Sequence, residues 1–189
     1  KWKFGTDDLT GRTVAVQGVG AVGGPLVERL VEAGAVVTVC DSKADRVQAL
    51  LHPLGVTAVA GDAIYDVDAE VFAPCAMGAI INVDTIGRLK CKVIAGAANN
   101  VLHEERHGRE VEQRGMLYAP DYVINAGGIV NVSVEFKDGG YDEGHALRCI
   151  ERIPEALREV WTLAEAENLP ASEAADRLAQ NIVAEAKDA

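Results

Sequence analysis

Three glycines and one aspartate carry the clearest chemistry in the sequence. Gly18-Val19-Gly20-Ala21-Val22-Gly23 follows the apolar run Thr13-Val14-Ala15-Val16 and opens an amphipathic run that ends at Ala33 and Gly34. A second apolar run, Val36-Val37-Thr38-Val39-Cys40, then ends on Asp41. The spacing G-x-G-x-x-G suits the phosphates of a dinucleotide. Its first glycine turns the chain sharply off a strand, its second clears a side chain from the path of a pyrophosphate, and its third lets the helix pack close to the sheet. The phosphate oxygens then meet free backbone N–H groups at the positive end of that helix. Asp41, about 20 residues beyond the glycines, is placed to accept both ribose hydroxyls and to repel a 2′-phosphate, which selects NAD over NADP. The glycines alone would also suit a tight strand-to-helix connection with no ligand; strand, helix and acid in that order favour the cofactor.

A second pattern has another chemistry. His103-Glu104-Glu105-Arg106-His107 matches H-E-x-x-H, which on a helix offers two histidines to zinc with the glutamate as base. Its setting argues against a metal. Gly108 follows at once, the neighbours are charged, and His52 and His145 lie far off in sequence. Cys40, Cys75, Cys91 and Cys149 are widely spaced with no C-x-x-C pair, and read as reduced thiols packed as small apolar groups.

The elements that must position these residues alternate along the chain. A helix is expected from about Lys43 to His52, ended by Pro53, then a short strand within Gly55 to Ala60 and a helical turn from Asp62 to Tyr65. Strands follow at Glu70 to Ala73, Lys92 to Ala95 and Met116 to Ala119, with a short helix from Asn82 to Leu89. Short apolar strands alternating with helices indicate an α/β fold of the Rossmann type, a doubly wound parallel sheet covered on both faces. Ligands of such sheets bind at the carboxyl ends of the strands. From Gly144 on the chain reads as helical, with one stripe of Ile150, Ile153, Leu157, Val160, Trp161 and Ala164 and another of Leu178, Ala179, Ile182, Val183 and Ala186. Pro154 should start or kink a helix there.

With 189 residues, 49% of them hydrophobic, the chain forms one domain, residues 1–189, whose C-terminal helical segment is 144–189. A net charge of −11 argues against nucleic acid or an anionic membrane as partner. No apolar run approaches the roughly 20 residues of a membrane span and no signal peptide is evident, so a soluble cytoplasmic protein is expected. The opening Lys1-Trp2-Lys3-Phe4-Gly5, without a methionine, suggests a piece of something larger.

Small residues crowd the loops after the strands, in APCAMGA at 73–79, VIAGAANN at 93–100 and YAPDYVINAGGIVNV at 118–132, with residues 120–128 expected as loop. Together with VQGVGAVGG at 16–24, these motifs resemble the cofactor domain of the Glu/Leu/Phe/Val dehydrogenase family, most closely its leucine and phenylalanine branch. The resemblance runs from Phe4-Gly5 to about Ala184. It implies an NAD-dependent enzyme that oxidatively deaminates an L-amino acid to a 2-oxo acid and ammonia. By the same resemblance Gly18, Val19, Gly20, Ala21, Val22, Gly23 and Gly24 hold the pyrophosphate and Asp41 the adenosine ribose. Cys75, Ala76, Ala98 and Asn99 lie along the nicotinamide half, and Asn100 is near the nicotinamide and the substrate. Ile129 and Val132 fall in the substrate side-chain pocket, plain core positions being the alternative for both. The glutamate branch has a serine where Val132 stands, so an apolar substrate is implied. The family's catalytic lysines belong to an N-terminal substrate domain absent from this sequence. None of Lys43, Lys90, Lys92, Lys137 or Lys187 lies in the matching glycine-rich motif, so no catalytic residue is expected in this chain. The expectation is a cofactor-binding chain without turnover of its own, a monomer or weak dimer, from a full-length homo-oligomer. A free-standing NAD-binding regulatory module is the rival.

Overall fold

The computed structural model describes residues 1–136 and 140–188; Lys137 lies outside them. Six parallel strands form one sheet: β1 (Thr13–Gln17), β2 (Val36–Cys40), β3 (Thr57–Ala58), β4 (Val71–Pro74), β5 (Val93–Ile94) and β6 (Leu117–Tyr118). Their order is β3-β2-β1-β4-β5-β6. The order reverses between β1 and β4, the crevice where doubly wound sheets bind ligands. Val16 sits level with Val39 on one side and Ala73 on the other, so the ends of β1, β2 and β4 emerge side by side.

Alternation along the strands divides the core. Val14, Val16, Val37 and Val39 pack beneath α1 (Gly23–Glu32) and α2 (Ala44–Leu54), meeting Val27 and Val47. Ala15, Phe72 and Ile94 belong to the other layer, with Ile64, Ile81 and Val111 of α3 (Arg106–Gln113). The remaining helices are α4 (Asp121–Ile124), α5 (Gly127–Glu135), α6 (Glu143–Ile150), α7 (Ile153–Glu167) and α8 (Ala171–Asp188). The helical part therefore begins at Asp121, well before residue 144. Val160 of α7 packs against Ala174 and Ala175 of α8. The apolar stripe expected further along α8 is not covered, Ile182 and Val183 being exposed.

Several local expectations fail for identifiable reasons. Pro53 does not end α2: the helix runs one residue past it at the cost of one backbone bond, and the stop is Gly55, left-handed at φ 65°, whose N–H donates to the Leu51 carbonyl. Residues 82–89 form successive turns instead of a helix. The Asn82 side-chain oxygen accepts from the Asp84 and Thr85 N–H groups, and the Thr85 hydroxyl donates to the Ile80 carbonyl, so side chains take bonds that a helix would need. Pro154 behaves as expected and sits in the first turn of α7.

The N-terminal segment crosses the outer edge of the sheet. Trp2 lies 5.8 Å from Trp161 of α7, centroid to centroid, and Lys3 donates to the Gly115 carbonyl. The Trp161 indole N–H donates to the Tyr118 carbonyl at 2.9 Å, tying α7 to the end of β6. Trp161→Phe leaves that carbonyl without its donor and is expected to cost about 1–2 kcal/mol in urea unfolding.

Candidate dinucleotide-binding site

Gly18 ends β1 in the left-handed region, at φ 92°, and its N–H donates to the Cys40 carbonyl. Hydrogens alone fit at its α-carbon, since a Cβ would stand 2.6 Å from the Ala76 Cβ. Gly23 is tighter. A Cβ there would lie 1.9 Å from the Gly18 carbonyl oxygen, so the first turn of α1 rests on the backbone of the preceding turn. Gly20 differs from both: its φ is ordinary, and a Cβ would meet nothing nearer than the Arg46 guanidinium at 3.3 Å. The chain's own packing does not demand a glycine there. A glycine there keeps the space beside the turn open, as a ligand's phosphate would require.

The start of α1 matches that reading. Val22 stands at its N-cap with no side-chain cap and no acidic residue fills the first turn. Among the described residues the N–H groups of Ala21, Val22 and Gly23 find no acceptor. Unpaired donors at a helix start attract an anion. Val19 is buried, Val22 exposed, and Gly24 tolerates a Cβ at ordinary contact distance.

Asp41 closes the other side of a cleft of about 640 Å³, which Gly18, Gly20, Tyr65, Cys75 and Ala76 also border. Its side chain is only 6% exposed. Oδ2 accepts from the Val19 N–H and Oδ1 from the Lys43 N–H, both at 2.8 Å. Burial pushes its pKa up, but these N–H groups and Arg46 outweigh burial and hold it below the ordinary carboxylate value. Its ionised form is therefore favoured by folding, in full above the ordinary carboxylate range and lost as pH falls through the lowered pKa. Cys40 beside it is buried, its thiol pushed up to about 11 by desolvation, with the nearby Asp41 charge adding to the effect.

Beyond the glycine turn lies a second hollow of about 750 Å³, bordered by Val22, Ala97, Asn99, Asn125 and Ile129. The Asn125 amide donates to the Asn99 side-chain oxygen at 2.5 Å and is 3.4 Å from the Ala98 carbonyl. Asn100, at φ 51°, borders a different hollow with His103 and Tyr122, and its carbonyl accepts from the Ala79 N–H. Ile129 is 74% exposed and Val132, one turn further along α5, is 49% exposed, so neither is a core residue. The sequence readings omitted Asn125 and Arg46 from the site. Asn125 is carried in the motif at 118–132, whereas nothing in the local pattern marks Arg46.

Residues 120–128, expected as loop, start two helices. Asp121 is buried at the head of α4, accepting from the Tyr122 N–H at 2.7 Å and the Val101 N–H at 2.6 Å. It thereby ties the strand end after β5 to that after β6. Of the two histidines in the H-E-x-x-H segment only His107 lies in a helix. It is fully buried, and its Nδ1 accepts from the Glu104 N–H at 3.0 Å, so the imidazole proton is on Nε2. His103 stacks on it from outside, 6.1 Å away between centroids.

A family profile described as Glutamate/Leucine/Phenylalanine/Valine dehydrogenase matches residues 45–189. The leucine dehydrogenase of Thermoactinomyces intermedius is 47% identical over 180 residues, 95% of this chain and 49% of that protein. The phenylalanine dehydrogenase of the same organism is 40% identical over 180 residues, 94% of this chain and 49% of that protein. Both alignments take in most of the chain, whereas the profile begins after Asp41. The crystal structure of L-tryptophan dehydrogenase from Nostoc punctiforme superimposes with a TM-score of 0.94 at 38% identity, covering 98% of this chain and 56% of that one. The chain thus spans about half the length of the curated relatives it matches.

The contrast between the glycines is testable. Gly23→Ala forces two backbone segments apart and is expected to cost about 2–3 kcal/mol in urea unfolding. Gly24→Ala, with ordinary contacts, should stay within about 0.5 kcal/mol of the parent.

Proposed function

The chain belongs to the glutamate/leucine/phenylalanine/valine dehydrogenase family, and from that membership we propose that it is the NAD-binding half of an apolar L-amino-acid dehydrogenase. The full enzyme oxidatively deaminates a leucine-, valine- or phenylalanine-like substrate to a 2-oxo acid and ammonia. The observation that carries this reading is one cleft bordered by Gly18, Gly20 and Asp41, with the uncapped start of α1 directly following Gly20 in the chain.

When bound, NAD supplies the two-electron acceptor for a hydride from the substrate's α-carbon. The residues here bind and orient, which is most of what protein gives to a cofactor's own chemistry. The free N–H groups at residues 21–23 take the pyrophosphate. Each Asp41 oxygen already accepts one backbone N–H and keeps capacity for a ribose hydroxyl. Its charge disfavours a 2′-phosphate in the same place, hence NAD over NADP. Cys75, Ala76, Ala98 and Asn99 flank the nicotinamide half, with Asn100 toward the substrate. Exposed Ile129 and Val132 offer an apolar side chain a surface and a side-chain carboxylate no partner.

The electrophile and base are assigned to the part of the relatives that lies beyond this chain. The chain by itself is accordingly a cofactor-binding monomer or weak dimer, and the whole enzyme a cytoplasmic homo-oligomer. No helix among the described residues is long and apolar enough to cross a membrane.

Calorimetric titration tests the cofactor assignment. NAD is expected to bind in the micromolar to submillimolar range, NADP more weakly, with the preference gone in Asp41→Ala. Failure to bind either dinucleotide would overturn it. The same preparation, given NAD with L-leucine or L-phenylalanine, is expected to produce no NADH; production would place catalytic groups within these 189 residues.

A further inference from the structure

We propose that Arg46 of α2 makes a direct ionic contact with the diphosphate of the dinucleotide, adding a cation from the second helix to the glycine cradle of the first. The inference rests on the cofactor reading above and extends it to a residue outside the fingerprint.

The guanidinium lies where such a contact is needed. Its Nη1 comes within 3.3 Å of where a Gly20 Cβ would stand, and Gly20 is the glycine that faces ligand space. Arg46 borders the same cleft as Gly20 and Asp41, and its side chain is 45% exposed. Next to it on α2, Val47 is buried in the core beneath the helix, so the base of the Arg46 side chain is held in place.

Asp41 accounts for only part of this placement, as an ion-pair partner of one guanidinium nitrogen. The separation from Arg46 Nη1 to Asp41 Oδ2 is 3.6 Å, beyond hydrogen-bond length, and that oxygen already accepts from the Val19 N–H at 2.8 Å. Among the described residues no acceptor takes a hydrogen bond from the Arg46 side chain. A guanidinium carries five donors in a planar fork that matches two phosphate oxygens. It stands over Gly20, the residue just before the N–H groups that open α1, and cation and helix start favour an anion alike. Asp41 is too close for a 2′-phosphate to be the group recognised, since its carboxylate would repel that phosphate. The diphosphate, passing over Gly20, is the anion within reach.

A double-mutant cycle read by calorimetry tests this. NAD and NADP are titrated into the parent chain, Arg46→Ala, Asp41→Asn and the double variant. Arg46→Ala is expected to weaken NAD about tenfold, in the parent and in the Asp41→Asn background alike, and NADP by the same factor. A loss that vanishes in the Asp41→Asn background would mean that Arg46 acts only by positioning Asp41, and overturns the proposal. So does a loss confined to NADP, which would put the guanidinium on the 2′-phosphate, or no loss at all. If the parent chain binds neither dinucleotide, the cofactor reading itself falls and this inference with it.

Discussion

One backbone contact holds the site together. The Gly18 carbonyl lies where a Cβ on residue 23 would be, 1.9 Å away, so the first turn of α1 can rest on the turn that leaves β1. Any side chain at residue 23 lifts the helix off the sheet. Val27 would then leave the core it shares with Val14, Val16 and Val39, and the free N–H groups would move with the helix. Position of helix, depth of core and direction of the donors are thus one constraint.

The same crowding recurs along the carboxyl edge of the sheet. A Cβ on Gly96 would lie 2.1 Å from the Pro74 carbonyl oxygen, and one on Gly78 2.5 Å from the Asn99 carbonyl oxygen. Backbone packs on backbone from β1 through β4 to β5, and Asp121 extends the connection to β6. Most small residues at this edge therefore serve the protein's own packing. Gly20 stands apart, because nothing in the chain but the Arg46 guanidinium approaches the space above it. Within the fingerprint it is the residue that speaks most directly for a ligand.

The legible parts of the sequence are those where one physical rule dominates. From Thr13 to Asp41 the apolar runs, glycines and terminal acid all point to the same unit, and β1, α1 and β2 lie where they indicate. Parallel order follows from strands that are apolar throughout. Where rules compete, the pattern misleads. Residues 82–89 have helical spacing, yet Asn82 and Thr85 satisfy the backbone with side chains. The head of α3 is charged and contains Gly108, and it is helical because His107, Gly108 and Val111 are buried. Residues 120–128 read as a loop because proline, asparagine and glycines dominate them, while the bond from the Val101 N–H to Asp121 comes from a distant segment. Arg46 belongs to the same class, since only the fold brings α2 over the glycine turn.

The contact between Trp2 and Trp161 has an optical consequence. These are the two tryptophans of the chain, and they sit ring to ring where the N-terminal segment crosses α7. All indole emission from this protein therefore originates at one spot. It reports how the terminal segment and the last helices dock against β6, and neither ring borders the cleft between Gly20 and Asp41. A spectrum that stays still as ligand is added would describe the location of the chromophores, not the emptiness of the cleft.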